Sequence, residues 1–146
     1  MWAIIIALVS GAIMSVQGVF NTGVTKQTSV WLTAAWVALS GFVVAILMWA
    51  FFERGQVDIT SIGRIEHKYM LLGGVFGAFI TWSVVKAMGE LGPAKAVLLI
   101  IISQLLFAYL IELFGMFHVE RVQFEWRKLI GFLVSVVGFI IFQWEK

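Results

Sequence analysis

The chain of 146 residues has no cysteine, a single proline and two histidines, and charged residues make up only 12% of it. Without cysteine there is no disulfide, no thiolate metal site and no cysteine nucleophile. The shortage of charge is more informative, because ordinary soluble domains are about a quarter charged. The few basic residues are scattered over separate connections rather than gathered on one face, which excludes a nucleic-acid partner.

In place of charge the chain has apolar residues, which make up 62% of it and give a mean hydropathy of +1.02. A soluble domain of this size leaves roughly a third of its unfolded-chain surface exposed to water. Folding as a soluble domain could not bury so much apolar surface, so the sequence predicts that the chain lies in a lipid bilayer. The first 21 residues lack the basic region and small-residue cleavage site of a signal peptide, so we expect them to form mature structure.

Five segments are long and apolar enough to cross a bilayer core about 30 Å thick as helices. Two of them carry a tryptophan pair 18 residues apart, Trp31 with Trp49 and Trp126 with Trp144. That separation is about 27 Å along a helix, and tryptophan favours the two interfaces of a membrane. The predicted spans are 2–22, 30–52, 69–91, 94–117 and 126–144. The sequence therefore predicts an all-α integral membrane protein with one domain, 1–146.

The order of the connections predicts how the chain crosses the membrane. Gly92 and Pro93 separate the third and fourth spans, where glycine can end one helix and proline can begin the next, so we expect a tight hairpin. No internal repeat is evident, and any symmetry must come from association with another chain. A chain of five spans looks incomplete by itself.

The distribution of basic residues predicts a cytoplasmic N-terminus, because the richer face lies inside the cell. An odd number of spans puts the termini on opposite faces. The N-terminal face receives Arg54, Arg64, Lys68, Arg121, Arg127 and Lys128. The other receives Lys26, Lys95 and Lys146, together with Lys86 if that side chain reaches the nearer surface. The difference is small enough that insertion in both orientations is also expected.

Polar residues inside the spans are costly and require an explanation. In the first helix Ser10, Gln17 and Asn21 share one face, which indicates either the wall of a substrate cavity or hydrogen bonding between helices. Small residues dominate the second helix and favour helix packing. The third contains the GxxxG pair Gly73 and Gly77, which permits close approach of another helix.

Two embedded charges form the second group of candidates. Trp82 and Lys86 share a face of the third helix, and Lys86 either lines a cavity or extends to the membrane surface. Glu112 in the fourth helix follows the mid-depth residues Ser103 and Gln104. It could titrate, recognise a cation or pair with a basic group. Lys86 and Glu112 lie near opposite faces within one chain, but an inverted second copy would bring them to one depth, and we predict an inter-protomer charge pair.

Other functional classes are disfavoured by the embedded residues. They assemble no nucleophile, base and orienting group, so the protein is predicted not to be an enzyme, and they predict no metal site and no cofactor. They show no charged ring or filter-like loop of a selective channel. Transport by alternating access is the leading prediction, and a non-transporting scaffold or accessory subunit is the alternative.

Three stretches resemble the YdcZ-like, half-size branch of the drug/metabolite transporter superfamily. They are the QxxxN of Gln17 and Asn21, the LLGGxxGA around Gly73, and the SQ…E…FG run from Ser103 to Gly115. The resemblance covers nearly the whole chain. Two positions depart from the family pattern as usually seen, since Glu112 stands where Asp is usual and Ser103 where Gly is frequent.

The resemblance implies that two inverted five-helix chains build a ten-helix exporter in a bacterial inner or plasma membrane, as a homodimer or with a related chain. Its cavity would be lined mainly by the first, third and fourth helices, and its substrate would be a small metabolite or amphipathic compound. Small multidrug relatives couple protons through a glutamate in the first helix, which this chain lacks, so that coupling does not transfer. The candidate lining residues are Gln17, Asn21, Trp82, Lys86 and Gln104.

Overall fold

The structure, a computed structural model, describes residues 1–144, and Lys146 lies outside them. Within that range the regular secondary structure is entirely helical. Short 3-10 helices occupy connections at Ile59–Arg64, Lys68–Leu72 and Met116–His118. The α-helices are α1 (Trp2–Gln27), α2 (Val30–Phe52), α3 (Gly73–Leu91), α4 (Pro93–Phe114) and α5 (Trp126–Phe142). The prediction of an all-α chain is confirmed for these residues.

Four stretches are long and apolar enough to cross a membrane, which supports a membrane protein. They are Trp2–Gln27, Val30–Phe52, Lys68–Leu91 and Pro93–Phe114. Helix α5, with 17 residues, is not among them. A fifth crossing therefore stays a prediction.

The first two helices show how local hydrogen bonds set the boundaries. Helix α2 begins and ends where predicted. At its start the Ser29 side chain accepts a hydrogen bond from the Leu32 N–H and caps the first turn. Helix α1 continues to Gln27, beyond the predicted end at residue 22. Its polar last turns remain helical because the Thr22 hydroxyl donates to the Gly18 carbonyl at 2.8 Å and the Thr28 hydroxyl to that of Val24 at 2.9 Å.

The later helices are shorter than predicted at one end. Helix α3 begins at Gly73 because the preceding residues, Lys68–Leu72, form a 3-10 helix. Helix α4 begins at Pro93 and ends at Phe114 rather than at residue 117, because Gly115 adopts a left-handed conformation with φ of 64°. Helix α5 ends at Phe142 rather than at residue 144.

The chain divides into two compact units, the first covering Met1–Glu90 and the second running from Leu91 onward. In the first unit α1 packs against α2. The Thr25 hydroxyl donates to the Thr33 hydroxyl at 2.8 Å, and Thr33 donates in turn to the Ser29 carbonyl. Thr33 and Ala34 are buried. These contacts fix the α1–α2 connection.

Helix α1 also meets α3 within the first unit, at Gly18. A β-carbon at this position would lie 2.5 Å from Met88 Cε and 2.6 Å from Met88 Sδ. These atoms are the flexible end of the methionine, which can move, so we expect Gly18→Val to lower the thermal unfolding midpoint of the detergent-purified protein by only about 1–4 °C, the shift produced by about 1 kcal/mol of overpacking. Met88 is buried, so Met88→Ala alone should also lower the midpoint, and the double variant should lose less than the sum of the two single effects because the valine occupies part of the space that the methionine leaves.

The matched control for this prediction is Gly23→Val, since a β-carbon at Gly23 meets no atom within 4 Å. Both variants place a β-branched residue in α1, so their helix-propensity costs are similar. Equal midpoints for the two variants, measured by size-exclusion chromatography after heating, would contradict a close contact at Gly18.

In the second unit α4 packs against α5, and the connection between them is held by polar contacts. The Tyr109 hydroxyl accepts a hydrogen bond from the Glu125 N–H at 3.2 Å, and the Lys128 ammonium lies 5.4 Å from the centre of the Tyr109 ring. Arg121 Nε donates to the Leu113 carbonyl at 3.1 Å and so satisfies one of the last carbonyls of α4.

Candidate functional site

The predicted polar face of α1 is present on one continuous helix, and its members have different surroundings. Gln17 lines a cavity of the first unit. Gln17 and Ser10 are both exposed and Asn21, one turn after Gln17, is half-buried, but neither Ser10 nor Asn21 lines that cavity. The structure therefore brings one of the three predicted residues to a cavity wall.

The cavity has a volume of about 490 Å³ and lies between faces of α1, α2 and α3. A β-carbon added at Gly41 of α2, or at Gly74 or Gly77 of α3, would meet no atom within 4 Å. The small residues of these two helices thus border open space instead of a close contact. The lining residues are Gln17, Ala34, Val37, Ala38, Gly41, Phe42, Ala45, Gly74, Gly77, Ala78, Ile80 and Thr81.

The polarity of this cavity is concentrated at Gln17. The Thr81 hydroxyl, also on the wall, already donates to the Gly77 carbonyl at 3.0 Å. Among residues 1–144 the Gln17 amide has no hydrogen-bond partner, and its donors and acceptor are available to a solute. A mostly apolar wall with one free amide is typical of sites for small amphipathic molecules.

Next to the cavity, Trp82 of α3 stacks on Trp31 of α2, with ring centroids 6.1 Å apart and planes inclined by 15°. Phe79 meets Trp31 edge-on at 6.0 Å. Trp31 precedes the lining residue Ala34 by one turn, and Trp82 directly follows Thr81. This aromatic cluster of Trp31, Phe79 and Trp82 bridges α2 and α3 beside the cavity.

Lys86 follows Trp82 by one turn on α3 and is exposed. Glu90 is one further turn along the same helix, yet no ion pair joins these two residues within 4 Å. Within the described part of the chain the Lys86 ammonium has no hydrogen-bond or ion-pair partner. Its positive charge is therefore uncompensated within residues 1–144.

The remaining predicted site residues belong to the second unit. Ser103 and Gln104 lie on α4 and are exposed. Glu112 is also exposed, and it lies only two residues before the end of α4 at Phe114. Its backbone carbonyl accepts a hydrogen bond from the Val122 N–H at 3.0 Å, whereas its carboxylate has no partner among residues 1–144.

Sequence reasoning missed two parts of this site. It treated Trp31 as a membrane-interface marker, whereas the residue stacks on Trp82. It also interpreted the small residues of α2 as packing positions, although Ala38, Gly41 and Ala45 line the cavity. The spacing of Trp31, Ala34 and Ala38 places them on one face of α2 but does not indicate what that face meets.

No group of three or more His, Asp or Glu side chains suited to a metal ion occurs in residues 1–144. The site consists of an amide, an aromatic cluster and an isolated ammonium group. These groups can bind and orient a solute, and no nucleophile and base lie together among them.

Comparison with known protein families identifies a match. The model of a family described as "Putative inner membrane exporter, YdcZ" matches residues 2–141, which is nearly the whole chain. No matching curated protein and no matching solved structure was found. Together with the apolar helices, the match establishes a membrane location. It also confirms the resemblance inferred from the motifs around Gln17, Gly73 and Ser103: the chain belongs to the YdcZ family of membrane exporters.

Proposed function

We propose that the protein exports a small metabolite or amphipathic compound by alternating access, as an antiparallel pair of five-helix chains. The family match supports export at a coarse level. The pair would be a homodimer or a heterodimer with a related chain, and the two inverted bundles would rock around a site near the middle of the membrane. The proposal involves no cofactor, metal or catalytic step.

The observation that carries this proposal is the cavity wall at Gln17. A free amide inside the membrane is costly, and here it faces a space of about 490 Å³, large enough for a small solute. If Gln17 served only helix packing, it would be expected to hydrogen-bond another helix of its unit. It does not do so in the described residues.

An antiparallel pair would account for the two uncompensated charges. Lys86 is five residues from the end of α3 and Glu112 two residues from the end of α4, which places them about 7.5 Å and about 3 Å from those ends. One membrane crossing separates them, so they approach opposite faces. In an inverted copy their depths would differ by about 4.5 Å, less than the reach of a lysine side chain.

In this pair α5 would act as the fifth span of each chain. Five spans would place the two termini on opposite faces of the membrane. Its 17 residues contain no charge after Lys128 and would extend about 26 Å, close to the thickness of a bilayer core. Trp126 begins the helix and Trp144 follows it, where aromatic anchors are expected.

Transport and its dependence on Gln17 test the proposal. Vesicles containing the purified protein are loaded with a defined mixture of small metabolites and amphipathic dyes, and efflux is followed by mass spectrometry against protein-free vesicles. For any solute that moves, we expect Gln17→Leu to abolish most of the efflux, because leucine fills a similar volume and removes the amide. The folded yield should stay unchanged.

Gln27→Leu is the matched control, since Gln27 is exposed at the end of α1, outside the cavity. Loss of folded yield in parallel with efflux in Gln17→Leu would favour a packing role. If none of the solutes moves, the alternative of a non-transporting scaffold or accessory subunit gains support.

A further inference from the structure

The aromatic cluster and Lys86 identify a class of solute, an inference that rests on the proposed function. Along α3 the cavity residues Ala78 and Thr81 are followed by Trp82 and, one turn later, by Lys86. Apolar space, aromatic surface and positive charge thus succeed one another on one helix. Trp82 and Lys86 are separated by about 6 Å along the helix axis.

The aromatic surface is open to a ligand. Trp31 and Trp82 cover one face of each other, yet they remain 53% and 37% exposed. A planar ring could stack on an outer face or pack edge-on, as Phe79 does against Trp31. An aliphatic group would gain binding free energy only from the apolar area it buries, and not from ring stacking.

The charge beside the cluster determines which polar group the ligand should carry. The Lys86 ammonium is not placed over an indole ring and has no anionic partner in the described residues. An organic cation stacked on Trp82 would be repelled by this charge one helical turn away. A carboxylate would be attracted and could accept a charge-assisted hydrogen bond.

We propose that the site binds small aromatic carboxylates, with the ring against the Trp31–Trp82 stack and the carboxylate at Lys86. In the antiparallel pair, the ligand carboxylate and Glu112 of the second copy would compete for the same ammonium group. The aromatic cluster selects the ring, Lys86 selects the charge, and the cavity beside them accommodates substituents.

Binding to the full chain in lipid nanodiscs tests this proposal with four probes of similar shape. They are 2-naphthoate, its neutral amide 2-naphthamide, the cation 2-naphthylmethylammonium and the saturated acid decahydro-2-naphthoate. Equilibrium dialysis against empty nanodiscs corrects for partition into lipid. We expect 2-naphthoate to bind most tightly of the four.

Two substitutions separate the contributions of charge and ring. Lys86→Gln should weaken 2-naphthoate binding about tenfold or more, the usual effect of losing a hydrogen bond to a charged group, and leave 2-naphthamide unchanged. Trp82→Leu should weaken both naphthyl probes by up to about tenfold and affect decahydro-2-naphthoate less. Trp82→Phe keeps an aromatic ring and should retain most of the binding.

Matched controls are Lys26→Gln and Trp36→Leu, which remove an exposed lysine and an exposed tryptophan of the same unit outside this site. Tighter binding of the cation than of 2-naphthoate, or unchanged selectivity in Lys86→Gln, would overturn the proposal. Efflux of other solutes without binding of these acids would defeat this inference alone. Selective binding without any transport would uphold it and defeat the proposed function.

Discussion

Replacing Gly77 by leucine is expected to lower efflux about tenfold or more, which corresponds to losing about 1.4 kcal/mol of solute binding. Gly77 lines the cavity, and a β-carbon at this position meets no atom within 4 Å. The larger side chain should therefore grow into the open space instead of displacing a neighbouring helix. Leucine is also the better helix former, so the folded yield should remain close to that of the wild type.

Two further substitutions make the result specific to the cavity. Gly41→Leu fills the same space from α2 and should cause a similar loss of efflux. Gly11→Leu is the control, because Gly11 also has no atom near its β-carbon position but does not line the cavity. Normal efflux in Gly77→Leu would show that solute does not pass through the cavity. Loss of the dimer together with efflux would instead identify the glycine face as an interface between copies.

Two variants biased toward opposite orientations should each be inactive alone and recover efflux when coexpressed. The first loses basic residues of the N-terminal face and gains one on the other face; the second loses basic residues of that other face. None of the side chains replaced in either variant forms a hydrogen bond or an ion pair within residues 1–144. The positive-inside rule should orient the two chains oppositely. The substitutions are Arg54→Ala, Arg64→Ala, Lys68→Ala and Gln27→Lys in one chain, and Lys26→Ala and Lys95→Ala in the other.

Reporters at both termini establish the orientation of each chain before efflux is measured. In the coexpressed pair, cysteines placed at 86 in one chain and 112 in the other should crosslink through a short reagent. Full efflux from one uniformly oriented variant would contradict the antiparallel pair. Crosslinking only between chains of the same orientation would contradict the proposed contact of Lys86 with Glu112.

Helix positions followed from the sequence wherever a local feature marks the boundary. Gly92 with Pro93 separates α3 from α4, so the end of α3 and the start of α4 were predicted to within a residue. Hydropathy did not predict the helix end that is determined by backbone conformation. The apolar run continues past Gly115, yet α4 ends at Phe114 because Gly115 adopts a left-handed conformation.

The candidate site could be predicted only in part. Residue spacing shows which side chains share a helix face, but it does not show which other helix that face contacts. The spacing of Gln17 and Asn21 predicts a shared polar face, and both residues lie on the continuous helix α1, where Gln17 lines the cavity. Nothing local indicates that Trp31 would meet Trp82, since 51 residues separate them in the chain. The small residues of α2 favour close helix packing, and nothing in their pattern indicates that several of them line a cavity.

The unequal lengths of the helices have a consequence for the surrounding lipid. Helix α1, with 26 residues, extends about 39 Å, whereas α5, with 17, extends about 26 Å. The last turns of α1 are polar, so they can project beyond a bilayer core about 30 Å thick without exposing apolar surface to water. A membrane-spanning α5 would have no such extra turns, and a change in membrane thickness would therefore act more strongly on α5 than on α1.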